Sequence, residues 1–268
     1  MIIPNPDFVN RSRNVAPENS DITIEQQENM PLLAKIPGLQ VDIEKLNWHF
    51  QNVVKQYEPE YTRTEPDKPL KKYGGWSVTS LNGDYRNGWD QYRGQHSTDP
   101  LTLYKNNWRP RFLFNKKTQI CTGYLNEVVD MVNDMGFFTR GVRIWDNPIG
   151  GHHIGWHTDG PSNVYSVRLH IPIVTNPDCV HVWATLPEET RIHIPADGSA
   201  YLFRTNITHD TFNYGTTERY HLIFETWDVK GIVPGFKYEY DIGKKVAEAE
   251  KWVADREAEL ARDEQIPY

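Results

Sequence analysis

The sequence predicts a mainly β protein with flanking helices, built around a small antiparallel barrel of the jelly-roll kind. From Thr139 onwards, short β-prone segments repeat with turn signals between them, which is typical of such barrels. Two of these segments, SVRLHIPIV and ERYHLIFETW, alternate with a period of two, as strands with one buried face do. The chain has 268 residues, which is long enough to bury a substantial core, so we expect a single domain over 1–268.

The first half of the chain predicts helices and loops ahead of the barrel. Residues 1–38 are polar and proline-studded and indicate an extended or loosely packed arm. Within 39–137, apolar residues at helical spacing predict one helix at about 41–56 and a second at about 118–135. Between them, 73–110 mixes aromatic residues with Gly, Asn and Asp, which suits one strand and long loops.

The barrel core is predicted over 138–230, and 231–268 is predicted to form a helical tail. The tail prediction depends on Gly243–Asp263, which is rich in helix formers and mixed charges. Within the core, the period-two alternation separates an apolar face from a polar one. The apolar face comprises Val167, Leu169, Ile171, Ile173, Tyr220, Leu222 and Phe224, and the opposite face carries Arg168, His170, Pro172, Val174, Arg219, His221 and Ile223.

A candidate metal site is formed by His157, Asp159 and His209. Two imidazoles and one carboxylate are the ligand set that suits a non-haem Fe(II) oxygenase with open coordination positions. HHIGWHTDG reads as a strand running into a turn, and residues i and i+2 of a strand share a face, so His157 and Asp159 could bind one ion. His209 can join them only through the fold. An H-x-D pair alone is common, and without the flanking strand pattern these would be ordinary strand and turn residues.

The polar strand faces predict an anion-binding pocket. If they line the interior of the barrel, Arg168 and Arg219 are partly buried, and a buried charge without a partner costs several kcal/mol. A ligand with two carboxylates would satisfy both arginines, and 2-oxoglutarate is such a ligand. The alternative for Arg168 is a local carboxylate such as Glu225.

The barrel segments resemble a known enzyme family. The motifs VRLHIPIVTNPD, DGSAYLF and HLIFETWD, together with GWHTDG, are similar to those of the Fe(II)/2-oxoglutarate-dependent dioxygenases. Within that family they are most similar to the aspartyl/asparaginyl β-hydroxylase-like group, which includes free-proline hydroxylases. The resemblance covers roughly residues 138–228. It implies a double-stranded β-helix core of the jelly-roll or cupin kind.

The resemblance also implies the cofactors and their ligands. Fe(II) would be held by His157, Asp159 and His209, with 2-oxoglutarate chelating the iron and O₂ as the second co-substrate. Arg219 would bind the distal carboxylate of 2-oxoglutarate, with Arg168 and His170 near its iron-proximal end.

Two departures limit what the resemblance implies. The best-known animal peptidyl hydroxylases of the group carry glycine where this chain has Asp159, so their substrate is not transferred. An alignment on LIF of the last strand would place His221 in the arginine column of the family. A two-residue insertion in NYGTTERY restores Arg219, and His221 remains a second candidate for binding 2-oxoglutarate.

The expected function is hydroxylation of an unactivated C–H bond, on an amino-acid side chain, free or peptidyl, or on a related small metabolite. Trp89, Tyr92 and Arg93, in the aromatic-rich loop region, are predicted to contact or cover this substrate. Two alternatives remain: a cupin-like metal-dependent isomerase or lyase, and a non-catalytic small-molecule binding module.

Composition excludes several classes of protein. The net charge of −7 argues against general nucleic-acid binding. Cys121 and Cys179 give no disulfide framework, which suits a reducing cytosol. The sequence has neither a signal peptide nor a stretch long enough to span a membrane, so we expect a cytoplasmic protein without membrane contact. Of the other histidines, His152 and His153 are expected in a loop, and His181 and His193 on a barrel face.

Overall fold

The structure is a computed structural model that describes residues 31–61, 74–86, 99–105, 110–150, 152–153, 155–159, 167–184, 189–228, 230–233 and 241–263. Its strands are β1 (Leu33–Gln40), β2 (Glu60–Tyr61), β3 (Gly74–Ser77), β4 (Thr79–Ser80), β5 (Lys116–Lys117), β6 (Phe137–Asn147), β7 (His152–His153), β8 (Val167–Val174), β9 (Cys179–Trp183), β10 (Thr190–Ile192), β11 (Ser199–Arg204), β12 (His209–Asn213) and β13 (Arg219–Asp228). Its α-helices are α1 (Ile43–Asn52), α2 (Pro100–Lys105), α3 (Gly123–Asp134) and α4 (Ile242–Asp263).

The last eight of these strands form two facing sheets with jelly-roll connectivity. One sheet contains β11, β8, β13 and β6 in that order, and the other contains β10, β9, β12 and β7. The chain crosses from one sheet to the other after β6, β7, β8, β10, β11 and β12, and the pairings are antiparallel. This is how two-sheet jelly rolls close their core. The predicted mainly β, jelly-roll fold is confirmed.

The larger sheet continues beyond the barrel at both edges. Its full order of seven strands is β1-β11-β8-β13-β6-β3-β2. The expectation of a loose arm is therefore wrong for its last part, because residues 33–40 pair with β11 and bury Ile36 and Leu39. Pairing covers the edge of β11, a long-range effect that outweighs the local proline and glycine of KIPGLQ.

The two predicted N-terminal helices are confirmed. Asp42 begins α1 by accepting a hydrogen bond from the Lys45 amide, and α1 buries Leu46 and Phe50. The second helix, α3, begins at Gly123, later than predicted, because the segment before it is tied to the sheet region: the Thr118 amide donates to the Val78 carbonyl at 3.0 Å. The predicted tail helix is confirmed as α4.

The predicted division of the strand faces is also confirmed, except at Val174. A register shift in the pairing of β8 with β13 places Val174 opposite Tyr220, and it packs against the main core. The apolar side chains of β8 and β13 enter the main core, where α1 and α3 pack on the larger sheet. The polar side chains of these strands lie in the space between the two sheets, beside a smaller apolar cluster formed by Trp183, Ile194 and Phe203. The fold therefore places the polar candidate site residues between the two sheets and the main apolar core on the other face of the larger sheet. None of the helices in the described part of the chain is both long and apolar enough to cross a membrane.

Candidate active site

His157, Asp159 and His209 converge at one point of the barrel. Their ligand atoms lie within 4.8 Å of one another. The Nε2 atom of His157 is 3.5 Å from Asp159 Oδ1, and the Nε2 atom of His209 is 3.8 Å from Asp159 Oδ2. The structure thus brings together the three residues that the sequence singled out.

Backbone hydrogen bonds hold this arrangement, although His157 is not in a strand as predicted. In HHIGWHTDG only β7 is a strand, and His157 forms an isolated antiparallel bridge with His209, with N–H···O distances of 3.1 and 2.9 Å. Gly155, whose φ is +106, lies between β7 and this bridge. The Asp159 amide donates to the Thr205 carbonyl at 3.0 Å. The loop expectation for His152 and His153 is wrong, because their backbone pairs with β12.

Both histidines of the triad are held in the tautomer that a metal requires. His157 Nδ1 lies 2.6 Å from the Gly155 carbonyl oxygen, and His209 Nδ1 lies 2.8 Å from the Ile207 carbonyl oxygen. Since a carbonyl only accepts, each Nδ1 carries a proton, so Nε2 is the ring nitrogen left to bind a metal. Burial opposes a charge on His157, but Asp159 outweighs it and raises the pKa of His157, so a metal would displace the proton that this imidazole takes up at Nε2. Orientation by a backbone carbonyl is the usual outer support of a metal-binding histidine.

The carboxylate of the triad is kept ionised. Arg168 Nε lies 2.7 Å from Asp159 Oδ2, an ion pair that is not aligned as a hydrogen bond. Burial alone would raise the pKa of Asp159, but Arg168 and the two histidines outweigh it and hold that pKa below its usual range. Burial, with His157 beside it, lowers the pKa of His209 to about 4. An anionic carboxylate next to a neutral imidazole fits a divalent cation.

A second polar cluster surrounds Arg219, which is 2% exposed. Its Nη2 donates to His181 Nε2 at 3.0 Å and to His221 Nδ1 at 2.8 Å. His181 Nδ1 lies 3.0 Å from Thr211 Oγ1, and His170 Nδ1 lies 3.3 Å from His221 Nδ1. Arg219 thus spans from β13 on one sheet to β9 on the other.

The three imidazoles of this cluster are neutral, so the charge of Arg219 dominates it. Burial and the nearby guanidinium hold the pKa values of His170, His181 and His221 well below the usual range. Within the described residues, no carboxylate lies within ion-pair distance of Arg219, and its buried Nε has no hydrogen-bond partner. A buried cation solvated only by neutral groups is a site for an anion.

The ring nitrogens of His170, His181 and His221 also lie within 4.8 Å of one another. Three imidazoles could by type hold a metal. However, Arg219 Nη2 already donates to two of them, and a guanidinium at that position repels a cation. The guanidinium therefore disfavours a metal ion at these three imidazoles.

The triad of His157, Asp159 and His209 lies next to the polar cluster around Arg219. On β8, Arg168 and His170 share a face two residues apart, a separation of about 7 Å along a strand. Arg168 contacts the triad and His170 contacts the Arg219 cluster. The Phe203 ring packs on His170 with centroids 4.2 Å apart and on His181 at 4.4 Å. An elongated ligand could therefore meet both sites.

Glu225 lies opposite Arg168 in the pairing of β13 with β8. Its carboxylate contacts Arg143 Nη2 at 2.7 Å and Arg140 Nη1 at 2.9 Å, and all three side chains are buried. Arg140 also lies over the Trp227 ring at 4.9 Å. This cluster borders the triad on the interior face of the larger sheet.

One pocket residue, His181, was not singled out as functional by the sequence. It was expected only on a barrel face, where it does lie, and its partner Arg219 is 38 residues away in the sequence. The period-two pattern of CVHVW was the available signal, but it carries no information about contacts across the barrel. His193, its companion in that prediction, binds the Cys179 carbonyl through Nδ1 at 2.9 Å. The predicted substrate residues Trp89, Tyr92 and Arg93 lie outside the described residues.

The family of this chain follows from its sequence match. The model of the aspartyl/asparaginyl β-hydroxylase family matches residues 75–229, more than half of the 268 residues. The chain belongs to this family. The predicted resemblance is thereby confirmed, and the protein is a hydroxylase by family. No curated protein matches the sequence significantly.

Solved structures with similarity to this chain include three oxygenases. An oxidoreductase of the 2OG-Fe(II) oxygenase family from Burkholderia pseudomallei has a TM-score of 0.41 and 11% identity, over 82% of this chain and 88% of that one. A Trichoplax adhaerens prolyl hydroxylase, in complex with a hypoxia inducible factor peptide fragment, has a TM-score of 0.44 and 12% identity, over 76% and 87%. A Pseudomonas putida prolyl-4-hydroxylase has a TM-score of 0.40 and 11% identity, over 73% and 91%. Since these TM-scores are below 0.5, membership of the β-hydroxylase family rests on the sequence match.

Proposed function

We propose that this member of the aspartyl/asparaginyl β-hydroxylase family is a single-domain Fe(II)- and 2-oxoglutarate-dependent dioxygenase. It hydroxylates an unactivated C–H bond on an amino-acid side chain, free or in a peptide, or on a related small metabolite. The observation that carries the proposal is the adjacency of two sites. A His/Asp/His triad whose imidazoles are oriented by backbone carbonyls lies next to a buried arginine whose hydrogen-bond partners, among the described residues, are neutral imidazoles.

The triad fits iron because its donor atoms already face one point. His157 and His209 direct Nε2 to that point while a carbonyl holds each Nδ1, and Asp159 is anionic and held by Arg168. Three protein ligands leave coordination positions open for a chelating ligand and O₂. When bound, Fe(II) with 2-oxoglutarate and O₂ supplies the oxidising power for C–H hydroxylation, and 2-oxoglutarate leaves as succinate and CO₂.

The anion pocket fits the far end of 2-oxoglutarate. Arg219 would bind its distal carboxylate, since this guanidinium is buried and lacks a carboxylate partner among the described residues. His221 would donate to the same carboxylate through Nε2, which is buried and has no partner while Nδ1 accepts from Arg219. His170 would lie between this end and the metal. Exclusion of water from the pocket strengthens each of these contacts.

The family supports an amino-acid or peptide substrate without selecting one. The family is named for aspartyl and asparaginyl residues, whose side chains are carried by a peptide. Asp159 is the point at which this chain departs from the peptidyl hydroxylases of the group, so free amino acids stand beside peptides as candidate substrates.

The test of the proposed function is spectroscopic and anaerobic. Protein loaded with Fe(II) should develop a visible charge-transfer band when 2-oxoglutarate is added, and none when succinate is added, because only a keto acid chelates the metal. Loss of the band in Asp159→Ala would locate it at the triad. A spectrum that is unchanged by 2-oxoglutarate would refute the proposal and favour an isomerase, a lyase or a binding module. A screen of amino acids and short peptides for substrate-stimulated succinate formation then identifies the substrate.

A further inference from the structure

Arg219 has an unusual set of partners for a buried arginine. Buried guanidiniums are normally paired with carboxylates, because an unpaired charge in the interior is costly. Here the guanidinium donates instead to the imidazoles of His181 and His221. Both of these side chains are buried, and they lie on different sheets of the barrel.

The proton positions in this cluster follow from the contacts. Arginine has no acceptor, so His181 Nε2 and His221 Nδ1 must offer lone pairs to it. His181 is then protonated at Nδ1 and donates to Thr211 Oγ1. His221 is protonated at Nε2, whose hydrogen points to no partner within the described part of the protein. Both histidines therefore act on Arg219 as neutral acceptors.

A neutral acceptor and a carboxylate would have opposite effects on ligand binding. A carboxylate in the place of either imidazole would hold Arg219 more strongly but would cancel its charge. An imidazole fixes the direction of the guanidinium and leaves the charge for a ligand. In the free protein, no carboxylate of the described residues lies within ion-pair distance of Arg219, and Asp146, whose charge acts on it from farther away, has a pKa that burial raises to about 7. An anionic ligand would therefore supply the close counter-charge on binding.

We propose that His181, which donates to Thr211, is a positioning residue for the co-substrate carboxylate. Together with His221 it orients the Arg219 guanidinium without neutralising its charge. This inference rests on the proposed function for the identity of the ligand. Because His181 acts through Arg219, its replacement changes the affinity for a dicarboxylate and leaves the metal triad intact.

Two isosteric variants separate this role from packing. In His181→Gln, Oε1 can occupy the place of Nε2 as a neutral acceptor, whereas His181→Glu puts a carboxylate there. The Glu variant should bind 2-oxoglutarate about tenfold or more weakly than the Gln variant, because its Arg219 is neutralised. In the absence of ligand, the Glu variant should melt no lower than the Gln variant, since the buried arginine gains a counter-ion. Dissociation constants come from calorimetry and melting temperatures from circular dichroism.

Glutarate makes the result independent of the iron. It has two carboxylates but no keto group, so its binding to metal-free protein reports on the anion pocket alone. If wild type binds glutarate and not 2-oxoglutarate with Fe(II), the proposed function fails, while a difference between the Glu and Gln variants toward glutarate still supports the role of His181. Equal affinities of these two variants for either ligand would overturn the inference and assign His181 to packing.

A second pair and a control guard against misfolding. At His221, Asn and Asp are the matched variants, because their δ oxygens occupy the place of Nδ1, and Asp should again weaken dicarboxylate binding more than Asn. His193→Asn is the control. It keeps a donor for the Cys179 carbonyl, and its dicarboxylate affinity should equal that of wild type. If the His181→Glu variant does not fold, the His221 pair decides, and equal affinities there would overturn the inference as well.

Discussion

Arg168 Nε lies 2.7 Å from Asp159 Oδ2, and this ion pair connects a neighbouring strand to the triad of His157, Asp159 and His209. The guanidinium comes from β8, and the carboxylate comes from the turn that follows the His157–His209 bridge. The pair orients one ligand of the candidate metal centre from a strand that carries none of the ligands. Arg168 therefore acts on the carboxylate of Asp159, whereas the sequence predicted an interaction with 2-oxoglutarate, which stays a prediction.

Removal of this support should weaken metal binding. Arg168→Gln should lower the affinity for Fe(II) by about 10–100-fold, because outer partners of metal ligands have effects of this size. Arg168→Lys, which keeps the charge, should lose less. Affinity can be measured anaerobically by competition with a metal-sensitive dye. Unchanged Fe(II) affinity in Arg168→Gln would show that Asp159 needs no orientation by β8.

The triad itself should be required for metal but not for folding. His157→Ala, Asp159→Ala and His209→Ala should each abolish Fe(II) binding and turnover, because each removes one of three ligands. Their far-ultraviolet circular dichroism should match wild type, since the main core on the other face of the larger sheet is untouched. His193→Ala serves as the matched control. An Asp159→Ala protein with full activity would eliminate the triad as the metal site.

Arg219 should determine the requirement for 2-oxoglutarate. Arg219→Ala removes a charge-assisted contact and should raise the KM for 2-oxoglutarate strongly, while the KM for the hydroxylated substrate changes little. Arg219→Lys should recover it only in part, because an ammonium lacks the planar fork with which a guanidinium binds a carboxylate through two parallel hydrogen bonds. The alternative alignment makes the opposite prediction: Arg219→Ala would be silent, and His221→Ala would carry the effect.

Glu225 should matter for stability. Its carboxylate contacts two buried arginines, so Glu225→Gln withdraws a negative charge from both and should destabilise the protein by about 3–5 kcal/mol. Urea unfolding measures the change. Asp255→Asn is the comparison, because its ion pair with Lys251 is exposed, and it should leave the unfolding midpoint unchanged. If the two variants unfold alike, the buried cluster contributes no more than a surface pair.

Asp146 should make stability depend on pH. Burial, reinforced by Glu218, raises its pKa to about 7, so the folded protein holds a proton that the unfolded chain releases near pH 4. Stability should therefore decrease as pH rises between about 4 and 7, because in that range the folded state binds more protons than the unfolded one. In Asp146→Asn this decrease should be absent. Melting temperatures across this pH range test it, and parallel profiles of the two proteins would contradict it.

Local periodicity was sufficient to predict the barrel faces. The alternation in SVRLHIPIV and ERYHLIFETW reports directly on which side chains share a face, and the structure confirms both faces except at Val174. The spacing His157-x-Asp159 similarly predicted a shared ion, although an isolated bridge rather than a strand provides the geometry. In each case the information lies within a few consecutive residues.

Contacts that depend on distant segments could not be predicted in this way. β1 is a strand because it meets the edge of β11, which lies far along the chain, and nothing in KIPGLQ indicates that partner. His181 was expected on a barrel face, but only closure of the two sheets makes it an acceptor for Arg219. The ion pair of Arg168 with Asp159 likewise depends on where the fold places Asp159 relative to β8.

The strand β12 carries His209 and Thr211 on one face, one serving the metal triad and the other supporting His181. Asn213, two residues further, donates to the Asn147 carbonyl and accepts from the Gly215 amide. Because side chains of a strand reverse with every residue, inserting or deleting one residue between His209 and Thr211 would place these two side chains on opposite faces of the sheet. The spacing between the triad and the polar cluster around Arg219 thus depends on the register of one strand. A change of length inside β12 would therefore separate the two halves of the site, whereas a change in a turn outside the strand would leave their relative positions on β12 unaltered.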